Sequence, residues 1–146
     1  MTQRFWVRAA VKGVLVRREG LLLLRRRSDD DIWPGLWDLP GGAVEKDETL
    51  EQALTREFRE ETGLRVRVGD VLDVSLEWVS VRGGPSYPSV SSRFRCSTKS
   101  RIAPRLDPAE HTEFAWVTAR ELARLTTVPY LRRTMEHAFR NADAEI

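Results

Sequence analysis

The order of elements along these 146 residues predicts an α/β fold in which a mixed β-sheet lies between helices. Three observations carry that prediction. Apolar runs at Trp6–Arg17 and Leu21–Arg27 flank the turn Glu19-Gly20 as paired strands do. Thr49-Leu50-Glu51-Gln52 has the form of a capping box and Gly63 that of a left-handed stop, bounding a helix of about three turns. Strand-like runs then resume, and Val128-Pro129 opens a terminal helix through about Asn141, with Leu131, Met135, Ala138 and Phe139 as its apolar stripe.

The remaining elements follow in order. Trp6–Arg17 is read as a central strand, and Leu21–Arg27 as its hairpin partner. Ser28–Gly35 is a loop whose Asp29-Asp30-Asp31 run lacks the regular spacing of a calcium loop and reads as solvated. Leu36–Pro40 forms a short strand, and Gly41-Gly42 leads into a loop up to Glu48. Arg65–Val81 reads as two strand segments broken near Gly69-Asp70, and Arg82–Pro88 as an irregular loop. Val90–Ser97 is a strand, Lys99–Pro108 a polar connection, and Ala109–Val117 a loop running into a strand. Thr118-Ala119-Arg120-Glu121 is a second capping box, opening a short helix to Leu125.

Composition bounds the function. The length suits one domain, residues 1–146, able to bury about two-thirds of its unfolded surface. A hydrophobic share of 41% beside 32% charged residues argues against disorder. The longest apolar run, Leu21–Leu24, is far short of a membrane span, and the amino terminus has no signal-peptide core. The single cysteine, Cys96, excludes an internal disulfide, fits a reducing cytoplasm and reads as a small strand residue. All of the 24 basic residues except Lys12, Lys46 and Lys99 are arginine, whose planar fork suits phosphate. They scatter from Arg4 to Arg140 instead of forming a stripe, so a nucleic-acid partner is not indicated, while a homodimer stays open.

The chemistry concentrates on the helix after Thr49. At about 100° per residue, Leu50, Ala53, Leu54 and Phe58 form one apolar arc and Glu51, Gln52, Thr55, Arg56, Arg59 and Thr62 the opposite one. Glu57 and Glu61 fall inside the apolar arc, and Glu60 at its margin. Solvated glutamates belong opposite the stripe, and three like charges at these spacings repel. A hard divalent cation supplies the compensating charge: Mg²⁺, with Mn²⁺ as a substitute. Neither a His-x-x-x-His pair nor a cysteine cluster suggests zinc, and His111 and His137 lie elsewhere in the sequence.

Gly42, five residues, Glu48, seven residues, then Arg56-Glu57-Phe58-Arg59-Glu60-Glu61-Thr62-Gly63-Leu64 resembles the signature of the Nudix hydrolases. Every fixed position of that 23-residue pattern is filled. The resemblance implies an α/β/α sandwich and Mg²⁺-dependent cleavage of a nucleoside diphosphate linked to another moiety. It places Glu57, Glu60, Glu61 and the Gly41 carbonyl around the metal, with Arg56 and Glu48 orienting the catalytic carboxylates. The general base is then Glu57, Glu60 or a loop carboxylate. Glu110 and Glu113 both qualify for the last, and Glu110 is favoured for its position on the loop side. His111 is read as a solvated loop residue.

Candidate substrate contacts are Arg25 and Arg27, which reach a phosphate or are solvated, and Trp33 and Tyr87, which stack on a base or pack locally. The segment Val79-Ser80-Val81-Arg82 has neither the proline nor the tyrosine that marks ADP-ribose and dinucleoside-polyphosphate members. Elimination leaves a nucleoside triphosphate or a damaged nucleotide. The rival reading is a non-catalytic nucleotide-sensing module, which would shift its melting point with nucleotide but release no product.

Overall fold

The computed structural model describes residues 2–144. Seven strands join in one mixed sheet organised around β1 (Arg8–Arg17). β1 pairs in parallel with β6 (Tyr87–Ser97) from Arg8↔Ser89 to Leu15↔Cys96, and β6 pairs antiparallel with the outer strand β5 (Arg67–Val79). The predicted hairpin exists only at its base: β1 meets β2 (Gly20–Arg26) at Val16↔Leu21 and Arg17↔Gly20, and then the two diverge. Past that point β2 carries β3 (Trp37–Asp38) and β7 (His111–Val117). Gly41–Ala43, expected as the start of a loop, is a strand, β4, hydrogen-bonded to Ala10, Val11 and Lys12 of β1. Leu39 and Pro40 therefore link one limb of the sheet to the other, with Leu39 buried in the core.

Strand alternation sorts the core into two layers. Val11 and Leu15 face α1 (Leu50–Thr62), where they pack with Leu22, Leu24, Ala53, Leu54, Phe58 and Leu64. Val14 faces the other way, with Leu21, Leu23, Leu39 and Val117, against α2 (Ala119–Leu122) and α3 (Arg132–Ala144). These are the two helical layers of the expected sandwich. Gly13 lets α1 lie close on β1, because a Cβ there would overlap the Phe58 ring. Burying that ring contributes about 1.5–3 kcal/mol. Thr49 caps α1 through the complete capping box, and Gly63 closes it in the left-handed conformation at φ 72°.

Several boundaries depart from expectation. β1 starts at Arg8, leaving Trp6 exposed, and Leu50 stands 41% exposed at the first turn of α1, where the sheet no longer covers it. β5 is one strand: Gly69-Asp70 is absorbed as a bulge, its register shifting between Val68 and Val71. Tyr87 and Pro88 belong to β6, proline being tolerated at a strand start. The second capping box is present on Thr118, but α2 ends at Leu122, and a 3-10 turn at Pro129–Leu131 precedes α3. Cys96 is buried, and burial pushes its thiol up to about 12. No helix among the described residues is long and apolar enough to cross a membrane.

Candidate active site

β4 and α1 meet where glycine permits. Gly41 sits at φ 137°, and a Cβ on it would collide with the Val11 carbonyl. A Cβ on Gly42 would stand 2.8 Å from the Glu57 carboxyl carbon. The glycine pair is thus the gap through which the α1 carboxylates approach the backbone.

Glu61 is 3% exposed, and its Oε1 accepts the Gly41 N–H at 2.7 Å. Burial, reinforced by Glu57 and Glu110, holds its carboxyl well above the usual range against the pull of Lys12 and the Gly41 amide. Glu57 is raised by burial too, opposed by Arg56, whose Nη1 donates to Glu57 Oε1 at 3.0 Å. Arg56 binds Glu48 with Nε and Nη2 at 2.7 and 2.9 Å, and donates to the Ala43 carbonyl at 3.0 Å. This fork keeps Glu48 ionised below its ordinary range and sets the angle of Glu57. Glu60 lies on the rim, its side chain 58% exposed, with Oε2 3.2 Å from Arg56 Nη1.

Across the cleft, Glu110 precedes β7 and His111 begins it. His111 is not the solvated residue expected. It is 4% exposed, with Nδ1 3.7 Å from Glu61 Oε2. Burial lowers its pKa to about 4, so the imidazole is neutral and the contact is not an ion pair. One ligand atom from each of Glu61, Glu110 and His111 falls within 4.8 Å of the others. Hence one of the two histidines lies with the carboxylates, contrary to the sequence reading. A buried carboxylate (Glu61), an exposed one (Glu110) and a neutral imidazole converge as a donor set that fits a divalent cation.

Beneath these groups runs a buried ionic network. Lys12 Nζ donates to Asp38 Oδ2 at 3.1 Å and to the Leu39 and Gly41 carbonyls, each at 3.2 Å. Arg26 donates to Asp38 Oδ2 and Asp30 Oδ2, each at 2.9 Å, and to the Ile32 carbonyl. Burial opposes the charges of Lys12, Arg26 and Asp38, yet Lys12 and Arg26 together hold Asp38 below the usual carboxylate range. A cavity of about 410 Å³ joins the network to the carboxylates and to an aromatic wall of Trp33, Tyr87 and Tyr130. Trp33 meets Tyr130 edge-on at 6.2 Å, and the Arg8 guanidinium lies 4.8 Å over the Tyr87 ring.

The family model for the NUDIX domain matches residues 6–138. The chain belongs to the Nudix hydrolases. It is 35% identical to a MutT-like protein of Streptomyces ambofaciens over 87% of this chain and 74% of that one. It is 31% identical to the nucleoside triphosphatase NudI of Salmonella typhimurium over 75% of this chain and 81% of that one. Among solved structures, the MutT protein of Methanosarcina mazei superposes with a TM-score of 0.77 at 26% identity, covering 97% of this chain and 99% of that one.

Within this Nudix site the sequence-derived residues separate. Gly41, Glu57, Glu61, Glu110, Trp33 and Tyr87 line the cavity. Glu60 stays at the rim, and Arg56 and Glu48 act behind Glu57. Glu113 pairs instead with Arg25 at 3.5 Å on the surface. Arg25 and Arg27 lie outside the cavity, Arg27 being held by Asp29 and the Pro108 carbonyl. Of the run Arg25-Arg26-Arg27, it is Arg26, the last residue of β2, that lines the cavity, held there by Asp38 and Asp30. Asp30 belongs to that network and is not a freely solvated loop residue. Lys12 had a sequence signal in a charge set inside the apolar run Ala9–Leu15. Tyr130 had none.

Proposed function

We propose that this Nudix hydrolase uses Mg²⁺ to cleave the pyrophosphate bond of a nucleoside triphosphate, canonical or damaged. One observation carries the reading: a single cavity is lined by Glu57, Glu61 and Glu110 and also by Trp33, Tyr87 and Tyr130. The first group suits a metal-bridged phosphate chain and the second the flat face of a base. The similarity to NudI, a nucleoside triphosphatase, supports the same substrate class.

Glu61, Glu110 and the Gly41 carbonyl would hold the ion, with Glu60 able to join them from the rim and Glu57 standing beside them. An ion held by these groups would supply charge neutralisation for the phosphate chain and a means of orienting the attacking water. The protein's own part is positional and acid–base. Glu57, which lines the cavity with its orientation fixed by Arg56, is assigned to accept the water's proton. Arg56 in turn is braced by Glu48. Trp33 and Tyr87 supply faces for the base, and the paired Lys12, Arg26, Asp38 and Asp30 form the floor of the cavity. Attack on phosphorus releases a nucleotide and a phosphate product.

The test is a panel of canonical and oxidised nucleoside triphosphates, ADP-ribose, dinucleoside polyphosphates and sugar diphosphonucleosides, scored for product with Mg²⁺. Triphosphates are expected to turn over, EDTA to stop the reaction, and Glu57→Gln to lower kcat about 10²–10⁴-fold with the fold intact. Turnover that survives EDTA, or a panel in which only ADP-ribose reacts, overturns the proposal.

A further inference from the structure

We propose that His111 supplies a nitrogen ligand alongside Glu61 and Glu110, so that this chain's site binds Mn²⁺ in preference to Mg²⁺. The inference rests on the metal-dependent reading above and concerns a residue that reading does not use. Its starting point is an imidazole with no evident structural job. His111 is 4% exposed, and its Nδ1 has no hydrogen-bond partner among the described residues. At 3.7 Å, Glu61 Oε2 is too far to serve as one.

Surrounding groups leave the pair free for a third party. The Oε1 of Glu61 is taken by the Gly41 amide, which turns Oε2 toward the histidine. Lys12, the nearest ammonium of the network, directs its hydrogen bonds to Asp38, Leu39 and Gly41. Ligand atoms of Glu61, Glu110 and His111 lie within 4.8 Å of one another. Atoms sharing an ion at about 2.1–2.2 Å stand at most roughly 4.4 Å apart, so a small closure completes the set. Glu110, exposed and just ahead of β7, is the member of the set whose side chain is free to turn.

Ligand chemistry then ranks the ions. Carboxylate and carbonyl oxygens alone suit Mg²⁺ and Mn²⁺ alike, whereas imidazole is a poor ligand for Mg²⁺. A nitrogen donor shifts affinity toward Mn²⁺ and the later divalent metals. The backbone at His111 is a strand residue paired to Arg26, which fixes the ring at the cleft instead of leaving it on a mobile loop.

Pulsed EPR on the Mn²⁺-loaded full chain tests this directly. The chain has two histidines, so ¹⁵N-histidine labelling with a His137→Gln control isolates one ring. A histidine nitrogen coupling is expected in the wild type and in His137→Gln, and is expected to vanish in His111→Gln. Competition titration is expected to show the Mn²⁺-over-Mg²⁺ preference reduced roughly tenfold or more in His111→Gln. Should that variant fail to fold, the labelled wild type and His137→Gln still decide the matter. Bound Mn²⁺ without histidine coupling overturns this inference and leaves the proposed function standing. A chain that binds no Mn²⁺ and no Mg²⁺ at millimolar concentration overturns both.

Discussion

Replacing Asp38 with asparagine removes the one anion shared by a buried lysine and a half-buried arginine. Lys12 Nζ and Arg26 Nη1 both approach Asp38 Oδ2, at 3.1 and 2.9 Å, and Asp38 is buried. The amide would keep the shape but leave two positive groups facing each other. Removing one partner of a buried ion pair costs about 3–5 kcal/mol, against a total stability of about 5–15 kcal/mol. For a chain of this size that is a fall in Tm of roughly 10–15 °C. The pH dependence gives a second check. Because the fold depresses the Asp38 pKa, its contribution is present above the unfolded value of about 3.9 and is lost as pH falls through the folded value. The gap between wild type and Asp38→Asn should thus stay level from pH 8 to pH 5 and narrow below about pH 4. Thermal unfolding followed by circular dichroism measures both. A variant melting within about 3 °C of wild type at pH 7 would show that the network contributes little, refuting the reasoning.

Further outcomes follow from the same geometry. Gly42→Ala puts a methyl 2.8 Å from the Glu57 carboxyl carbon, so kcat should fall about tenfold or more while Tm moves little; unchanged kcat would separate Glu57 from catalysis. Arg56→Lys keeps the charge but loses the fork that spans Glu48 and Glu57, and a fall in kcat/KM of about 10–100-fold is expected in steady-state assays. Glu60→Gln should cost less than Glu57→Gln, since Glu60 is at the exposed rim, and equal losses would place Glu60 inside the site. Trp33→Ala is expected to raise KM several-fold with kcat largely kept, as fits a stacking surface remote from the bond broken.

What the sequence determined by itself is local. The capping box at Thr49, the stop at Gly63 and the inward spacing of Glu57 and Glu61 depend on residues within a few turns of one another, where 3.6-residue periodicity and backbone propensity decide the outcome. The signature from Gly42 to Leu64 likewise lies in one stretch, so family and fold class were legible before any coordinates.

Tertiary structure alone decided what meets that helix. Pairing of β1 with β4, and of β2 with β3 and β7, brings Lys12, Arg26, Asp38 and His111 into one cleft from four separate strands. Cross-strand register is set by packing between distant segments, so no local pattern shows that the imidazole next to Glu110 is buried against Glu61 or that Tyr130 closes the wall beside Trp33. The helix announces a cation site in its own spelling; the groups that tune the ion and hold the base depend on distances that exist only once the two limbs of the sheet have closed around it.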